Sequence, residues 1–472
     1  MGTIAPAESL LGQLQRGRGG GCIQALREDV ALVRPLLLEC MLDDPRWDRQ
    51  IETRSDYYAQ LIIHTALPLD QLGTHLHAQA GLPPGDANDL ALGTLYALAD
   101  RGYGPATAML RDYLSYGEFW EAAFEVLVEN GGLGVEEMGR ILDRRFPEDA
   151  VLDRELPTTG LGMHTLQEPW RSLRLVNPRV ERILSAHERE AAQQQQQEEQ
   201  LHAAFADRPT SELLVAGVDY RTARFAALAI REQVTAADID LLLQGARHGD
   251  PWHRFVAFRG LERRAHPAAF PILRAFFEAP EDQPGFLYGA AVRAMVALPA
   301  GRTLDLARAW FDDPTGPHRH IALQILEAHA TRADVPRVRA ALLPSLRRDT
   351  ADNAERYMQC GILEVLARFP DRGPYPEAET VFEEAGYAWT RWRAAEVLAA
   401  SGRGHFSRGF AVECLWDCEE RVRQVGCAHV DGRNPDASER LQALVRDPRE
   451  DERVRRAAQE RLYGGTSPRA NA

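Results

Sequence analysis

The chain has 472 residues, an apolar fraction of 45% and a formal net charge of −14, and all its basic residues are Arg. The apolar fraction excludes wholesale disorder, and the negative charge repels polyphosphate, which argues against nucleic acid as a partner. No apolar run approaches the roughly 20 residues that a membrane-spanning helix needs, so no membrane partner is predicted.

The first residues, 1–21, contain no apolar segment of secretory type and end in Arg16-Gly17-Arg18-Gly19-Gly20-Gly21. We interpret this stretch as a flexible N-terminus rather than a targeting signal. The six cysteines are scattered along the chain, at positions 22, 40, 360, 414, 418 and 427. Such scatter does not resemble a disulfide framework, and the expected location is the cytoplasm.

A six-residue apolar segment recurs in the region 22–146. Its copies begin at Tyr58, Leu90 and Ala122, which are 32 residues apart. Each copy lies on a stretch with apolar residues three and four positions apart, which predicts a helix. A constant period of this size is typical of a repeat solenoid. The region is therefore predicted to be an N-terminal array of repeats.

The repeat pattern is lost in the region 147–206. Its first part, about 147–178, is irregular, and a polar run with five consecutive Gln at 193–197 extends to about Ala206. Because Gln is a competent helix former, the polar run is predicted to be an exposed helix. We interpret the region as an insertion or spacer. A partner-binding coiled coil is an alternative, although sustained apolar heptad positions are missing.

Eight further copies follow in the region 207–463, which is predicted to be a C-terminal array. They begin at Phe225, Val256, Ala290, Ile321, Gly361, Arg393, Val425 and Ala457. Breaks rich in Gly and Pro and a second apolar-periodic stretch follow the copies, and turns such as Asp250-Pro251 are typical helix starts. The predicted fold is all-α, an α-solenoid of about eleven two-helix repeats, with a flexible tail at 464–472.

Several of the last copies are preceded by a β-branched residue and Arg, in Thr390-Arg391, Val422-Arg423 and Val454-Arg455. With the small residues that follow, these units resemble HEAT repeats, in particular the short variety of bilin-lyase-type proteins. The resemblance implies an armadillo-like stack of helix pairs. In such a stack the recurring Arg would pair with acids in neighbouring turns, such as Asp417 and Glu419, and support the structure.

A mixture of aromatic and Arg side chains suggests a partner-binding surface. The densest stretch is 44–58, and similar groupings occur at the same phase of later units. The candidate residues are Arg46, Trp47, Arg49, Arg54, Tyr57, Tyr116, Trp120, Trp252, Arg254, Trp389, Arg391 and Trp392. Matching positions of a solenoid form a stripe, so these residues would line one surface. In the alternative interpretation each aromatic residue seals a helix pair and each Arg belongs to a structural ladder.

No catalytic, metal or cofactor site is predicted. Cys414, Cys418, Cys427 and His429 have metal-ligand side chains, but their spacing matches no common zinc motif. Phosphate-binding loops, nucleophile elbows and catalytic Cys/His pairs do not appear in the sequence, and no carboxylate can be singled out as a general acid or base.

The predicted function is the binding of another protein by a HEAT-repeat scaffold, adaptor or regulatory protein. The alternative is an enzyme on the same scaffold, because bilin lyases and alkylpurine DNA glycosylases are similar in fold to HEAT-like arrays. The acidic balance argues against the glycosylase, which must hold DNA, and a lyase would need a tetrapyrrole and an acceptor protein. A small-molecule pocket near the insertion is a third possibility, and enzymatic activity is left open.

Overall fold

The computed structural model describes residues 4–79, 89–149, 151–152, 156, 170–279, 283–348 and 353–463. Within these ranges the regular structure is helical and contains no strand, which confirms the predicted all-α class. The α-helices are Leu10–Arg16, Gly19–Ala25, Val30–Leu42, Ser55–Thr65, Asp70–Gln79, Leu90–Asp100, Gly104–Tyr113, Trp120–Glu129, Val135–Arg145, Trp170–Val176, Pro178–Ala206, Thr210–Ala216, Tyr220–Gln233, Ile239–Gly245, Pro251–Arg264, Phe270–Glu278, Gly285–Ala297, Ala300–Asp312, Arg319–His329, Val335–Arg348, Asn353–Ala367, Pro376–Glu384, Ala388–Ser401, Arg403–Arg408, Phe410–Cys414, Glu420–His429, Pro435–Arg446 and Glu452–Tyr463.

The recurring six-residue segments all begin inside α-helices, and we call these helices the core helices. Core helices that follow one another along the chain pack side by side. The packed neighbours are Ser55–Thr65, Leu90–Asp100 and Trp120–Glu129; then Tyr220–Gln233, Pro251–Arg264, Gly285–Ala297, Arg319–His329 and Asn353–Ala367; then Ala388–Ser401, Glu420–His429 and Glu452–Tyr463. Small side chains allow this close approach: Ala394 and Ala395 are fully buried.

Helix starts follow the local sequence. Asp250 caps the helix Pro251–Arg264, where its carboxylate accepts a hydrogen bond from the backbone N–H of His253 at 2.9 Å. Pro251 occupies the first helical position, where no intrahelical N–H bond is lost. Asn434 and Pro435 begin the helix Pro435–Arg446 in the same way. The Asp-Pro signal at 250–251 therefore predicted a helix start correctly.

The chain forms two compact units. Unit 1 comprises residues 1–188, 346–351 and 370–472, and unit 2 comprises residues 189–345 and 352–369. The predicted arrays follow one another along the chain, whereas unit 1 contains both ends of it. Unit 1 thus combines segments that are distant in the sequence, and the local sequence pattern does not predict contacts between such segments. The number of repeats stays a prediction.

Unit 1 contains helices in the segment 1–21 that the sequence predicted to be flexible. The helix Gly19–Ala25 follows Leu10–Arg16 and packs against both Ser55–Thr65 and Phe410–Cys414. The N-terminal segment is therefore part of the packed interior of unit 1.

The glycines of this segment serve close packing rather than flexibility. A Cβ atom on Gly19 would lie 1.8 Å from the carbonyl oxygen of Glu413, and one on Gly17 would lie 2.4 Å from the Sγ atom of Cys418. Gly17 also has a φ of 68°, which residues with a side chain rarely adopt. A Gly-rich segment suggests flexibility when no packing partner is visible in the neighbouring sequence. Here the packing partners, Glu413 and Cys418, lie about four hundred positions away.

Unit 2 is built on five of the core helices, from Tyr220–Gln233 to Asn353–Ala367. Intervening helices such as Ala300–Asp312 pack against them, as the second apolar-periodic stretches predicted. Aromatic rings link neighbouring core helices: the rings of Trp252 and Phe286 stack with centroids 4.1 Å apart. This stacking joins the first turns of two successive core helices.

The predicted polar helix is present as Pro178–Ala206, which spans 29 residues and exposes the five consecutive Gln side chains 193–197. Most of the segment predicted to be irregular, namely 150, 153–155 and 157–169, lies outside the described residues, as does the predicted tail 464–472. In the part of the chain that the structure describes, no helix combines the length and the apolar content required to cross a bilayer.

The close approach at Gly19 generates a stability prediction. Gly19→Ala forces a methyl group against the Glu413 carbonyl, so we expect the free energy of unfolding to fall by about 1–3 kcal/mol, as for other overpacked sites. Gly139→Ala is the control, because Gly139 lies inside the helix Val135–Arg145 and its added Cβ would meet side-chain atoms only at 3.6 Å or beyond. Thermal and urea unfolding should show a loss for the first variant and none for the second. Equal effects would contradict the packing role of Gly19.

Candidate functional site

The twelve predicted partner-binding residues divide into two groups by burial. The buried ones are Arg46, Arg54, Tyr57, Trp120, Arg391 and Trp392. The partly exposed ones are Trp47, Arg49, Tyr116, Trp252, Arg254 and Trp389. Trp252 and Arg254 belong to unit 2, and the other ten belong to unit 1.

Arg54 lies in the interior of unit 1 and is completely buried. Its guanidinium donates to the carboxylate of Glu52 at 2.7 Å, to the carbonyl oxygen of Gly386 at 3.0 Å and to the carbonyl oxygen of Gln15. The same Glu52 carboxylate accepts a hydrogen bond from the backbone N–H of Ala388 at 3.1 Å. Arg54 therefore connects the segments around residues 15, 52 and 386 within unit 1.

Arg391 and Arg423 form ion pairs from successive core helices. Arg391 donates to both carboxylate oxygens of Asp417, at 2.7 and 3.0 Å, and neither residue is exposed. Arg423, 32 positions later, donates to both carboxylate oxygens of Glu450 at 2.9 and 2.6 Å. The sequence phase predicted the first pair. We call Arg391 and Arg423 the paired arginines.

Arg16 and Arg18 add positive charge near Arg54 and Arg391. Arg16 donates to the carbonyl oxygens of Glu384 at 3.0 Å and Ala5 at 2.7 Å. Burial, together with the neighbouring guanidinium groups of Arg391, Arg18 and Arg54, lowers the pKa of Arg16 to about 10. The charge is balanced in part by the 2.8 Å ion pair between Arg18 and Glu413.

Other predicted residues pack inside their own units. Trp120 lies in the core of unit 1, with its ring centroid 6.2 Å from that of Trp170. Arg254 lies over the ring of Phe276, 4.9 Å from its centroid. Tyr116 stacks on His77 with centroids 3.8 Å apart.

Arg46 and Arg49 both pair with Asp44, at 2.7 and 3.4 Å. These contacts match the alternative interpretation, in which aromatic and Arg side chains support the structure. Binding of a partner by these residues stays a prediction.

Three of the predicted aromatic residues come together in unit 1 through a fourth that the sequence analysis missed. The Trp47 ring meets Tyr387 edge to face at 4.9 Å, Tyr387 stacks with Trp389 at 6.4 Å, and Trp389 meets Trp392 edge to face at 6.0 Å. We call these four residues the aromatic row. Tyr387 immediately precedes the helix Ala388–Ser401, where the helical periodicity gave no signal.

A groove begins at the end of the aromatic row, on three neighbouring core helices. Its volume is about 540 Å³. It is lined by Trp392, Glu396, Ala399, Ala400, Arg421, Gln424, Val425, Ala428, His429 and Arg453. Polar and apolar side chains contribute equally to this lining: Glu396, Arg421, Gln424, His429 and Arg453 are polar, and the other five are apolar or aromatic. We refer to this feature as the groove and regard it as the candidate functional site.

Cations and aromatic rings meet at the edge of the groove. The guanidinium carbon of Arg421 lies 4.3 Å from the ring centroid of Trp392 and 5.0 Å from that of Trp389. Arg393 lies over the Trp392 ring at 3.9 Å and pairs with Glu396 at 3.0 Å. Cation–π contacts of this kind hold a guanidinium in place without neutralising its charge.

The repeat period also locates Arg421 and Arg453, which were missed among the candidates. Trp389, Arg421 and Arg453 occupy the same phase, because 421 − 389 = 32 and 453 − 421 = 32. The sequence analysis followed the Arg two positions further along each helix, at 391, 423 and 455, and named only Arg391 among the candidates.

Metal-binding geometry is not present in the described ranges, where no group of three or more His, Cys, Asp or Glu side chains is arranged to hold an ion. Cys414, Cys418 and Cys427 are buried free thiols. Burial raises the pKa of the Cys418 and Cys427 thiols to about 12, so both are protonated at neutral pH.

No protein-family model matches this chain, and no curated protein is significantly similar to it.

The Arg391–Asp417 pair generates a prediction that separates structure from binding. Arg391→Met leaves the Asp417 carboxylate buried without its partner, so we expect a loss of about 3–5 kcal/mol in the free energy of unfolding. The double variant Arg391→Met with Asp417→Asn should lose less than the sum of the two single variants. Arg433→Met is the control, because Arg433 is 92% exposed and should leave unfolding unchanged. Additive losses in a double-mutant cycle would contradict the direct pairing.

Glu419 generates a pH prediction. It precedes the helix Glu420–His429 and is only 3% exposed. Burial raises its pKa from 4.5 to about 7, and the charges of Glu420 and Asp417 contribute. The folded state therefore binds more protons than the unfolded state between these values, and the free energy of unfolding falls as pH rises through that window.

Glu419→Gln removes this dependence. Relative to the parent, the free energy of unfolding of the variant should rise by on the order of 2–3 kcal/mol between pH 4.5 and pH 7. Above pH 7 the difference between the two proteins should be constant. Urea unfolding at several pH values measures it. Glu439→Gln removes the same charge from an exposed helix position and should show no such trend. A pH-independent difference for Glu419→Gln would disprove the effect.

Proposed function

We propose that this protein binds another protein through a surface formed by stacked helices, and that it acts as a scaffold, adaptor or regulator. The observation that carries the proposal is the groove on three successive core helices, with the aromatic row beside it. Trp and Arg, which lie together at the edge of this groove, are among the residue types that contribute most to protein interfaces.

We also propose that the fold is a HEAT-like α-solenoid of about eleven repeats. Supporting observations are the side-by-side packing of consecutive core helices and the recurrence of the Arg–carboxylate pair after 32 residues. Helix pairs that cannot bury their apolar faces alone gain stability by stacking on neighbours. The same stacking presents equivalent positions along one surface, where an extended partner can lie.

A cytoplasmic location belongs to the same proposal. Five of the cysteines are buried free thiols, namely Cys22, Cys40, Cys414, Cys418 and Cys427. Free thiols in this number agree with a reducing compartment, where disulfides are rare.

Blocking the groove tests the proposed function. Ala428 lines the groove and is exposed, so Ala428→Trp should fill part of it without disturbing the core. We expect the parent protein, crosslinked in its native cells and purified, to carry a stoichiometric partner, and the variant to lose most of it. Glu439→Trp, at an exposed position outside the groove lining, should retain the partner. Absence of any stoichiometric partner under crosslinking, or equal recovery by both variants, would contradict the proposal.

A further inference from the structure

Two sets of arginines recur with the 32-residue period, and they differ in charge balance. The paired arginines, Arg391 and Arg423, have carboxylate partners inside unit 1. Arg421 and Arg453 line the groove, and within the described ranges neither guanidinium forms an ion pair or a side-chain hydrogen bond. We call Arg421 and Arg453 the groove arginines. The groove therefore presents positive charge that its own unit leaves unneutralised.

The other charged lining groups do not cancel this excess. Glu396 is paired with Arg393 at 3.0 Å, and Gln424 is neutral. His429 also lines the groove and adds no negative charge. The protein as a whole has a net charge of −14, whereas this groove contains two guanidinium groups without an ion pair among the described residues. Charge complementarity favours an anionic ligand there.

Arg421 is prepared to bind such a ligand. Its guanidinium carbon lies over the rings of Trp392 and Trp389, at 4.3 and 5.0 Å from their centroids. A cation–π contact uses none of the N–H groups as a donor to an oxygen, so donors remain for a carboxylate. A side chain already held by two indole rings loses little further freedom when it binds.

From these observations we infer that the groove binds a segment of a partner protein whose carboxylate side chains pair with the groove arginines. This inference rests on the proposed function and specifies the chemistry of the bound segment. It assigns recognition to Arg421 and Arg453 and apolar contact to Trp392 and Ala428.

The repeat spacing also sets the distance between the required carboxylates. The groove arginines occupy equivalent positions on packed neighbouring helices, whose axes lie about 8–10 Å apart in such packing. In a polyproline II segment, residues three positions apart point to the same side and are about 9 Å apart. An extended segment with Asp or Glu at positions i and i+3 therefore matches the two guanidinium groups.

Peptide selection on the full-length protein tests the inference. A displayed library of random dodecapeptides is selected on the parent, on Arg421→Gln with Arg453→Gln, and on Arg433→Gln, a control that removes an exposed Arg outside the groove lining. We expect peptides from the parent and the control to be enriched in Asp or Glu at i and i+3. The groove variant should lose this enrichment, with binding about tenfold weaker for each guanidinium removed.

A charge-reversal variant distinguishes the loss of arginine–carboxylate pairing from a general loss of binding. Arg421→Glu with Arg453→Glu should select basic peptides at the same spacing, and circular dichroism should show unchanged helix content. Selected peptides without acidic enrichment would overturn the inference while the proposed function stands. Failure to select peptides, together with self-association that the groove variant abolishes, would assign the groove to a second copy of the chain and overturn it. Failure of both peptide selection and partner recovery would remove the proposed function as well.

Discussion

Buried contacts between arginine and carboxylate groups determine how unit 1 is assembled. Arg54 and Arg391 have no exposed surface, and each has a carboxylate within hydrogen-bond distance, Glu52 and Asp417 respectively. Removing such ions from water costs several kcal/mol each, and only well-aligned partners offset that cost. The position of the helix Ala388–Ser401 against the N-terminal segment is therefore tightly constrained. The aromatic row and one side of the groove belong to this helix, so their geometry depends on the same contacts.

One helix supplies arginines with two different tasks. Arg421 and Arg423 lie two positions apart in Glu420–His429, which places them on roughly opposite faces of a helix with about 100° per residue. Arg423 pairs with Glu450, and Arg421 lies beside the indole rings at the groove. The 32-residue spacing relates Arg391 to Arg423 among the ion-paired residues and Arg421 to Arg453 in the groove lining. Ion pairing inside the unit and lining of the groove are thus compatible in one helix.

Sequence periodicity was sufficient for the core helices, and insufficient for the helices Leu10–Arg16 and Gly19–Ala25 and for the contacts between distant segments. Apolar residues three and four apart located every core helix, because that spacing reports the buried face of a helix directly. The same reasoning could not show that Arg54 is buried, since its partner Gly386 lies 332 positions further along the chain. It also placed Trp389 and Trp392 among the candidates but missed Tyr387, which lies outside the helical pattern. Arg421 and Arg453 were within reach of the sequence, because extending the period from Trp389 leads to both.

Contacts between segments far apart in the sequence of unit 1 affect its biosynthesis. Arg16 and its acceptor on Glu384 are separated by 368 positions, which at ribosomal speeds of 5–20 residues per second corresponds to roughly 20–75 s of translation. During that interval the first helices can pack on Val30–Leu42 and Ser55–Thr65, but they lack their contacts with Glu384 and with the helix Phe410–Cys414. Unit 2 is made from residues that are translated in between, so its chain is complete first. The side of the helix Gly19–Ala25 that faces Phe410–Cys414 therefore stays uncovered during synthesis until that second helix has been translated.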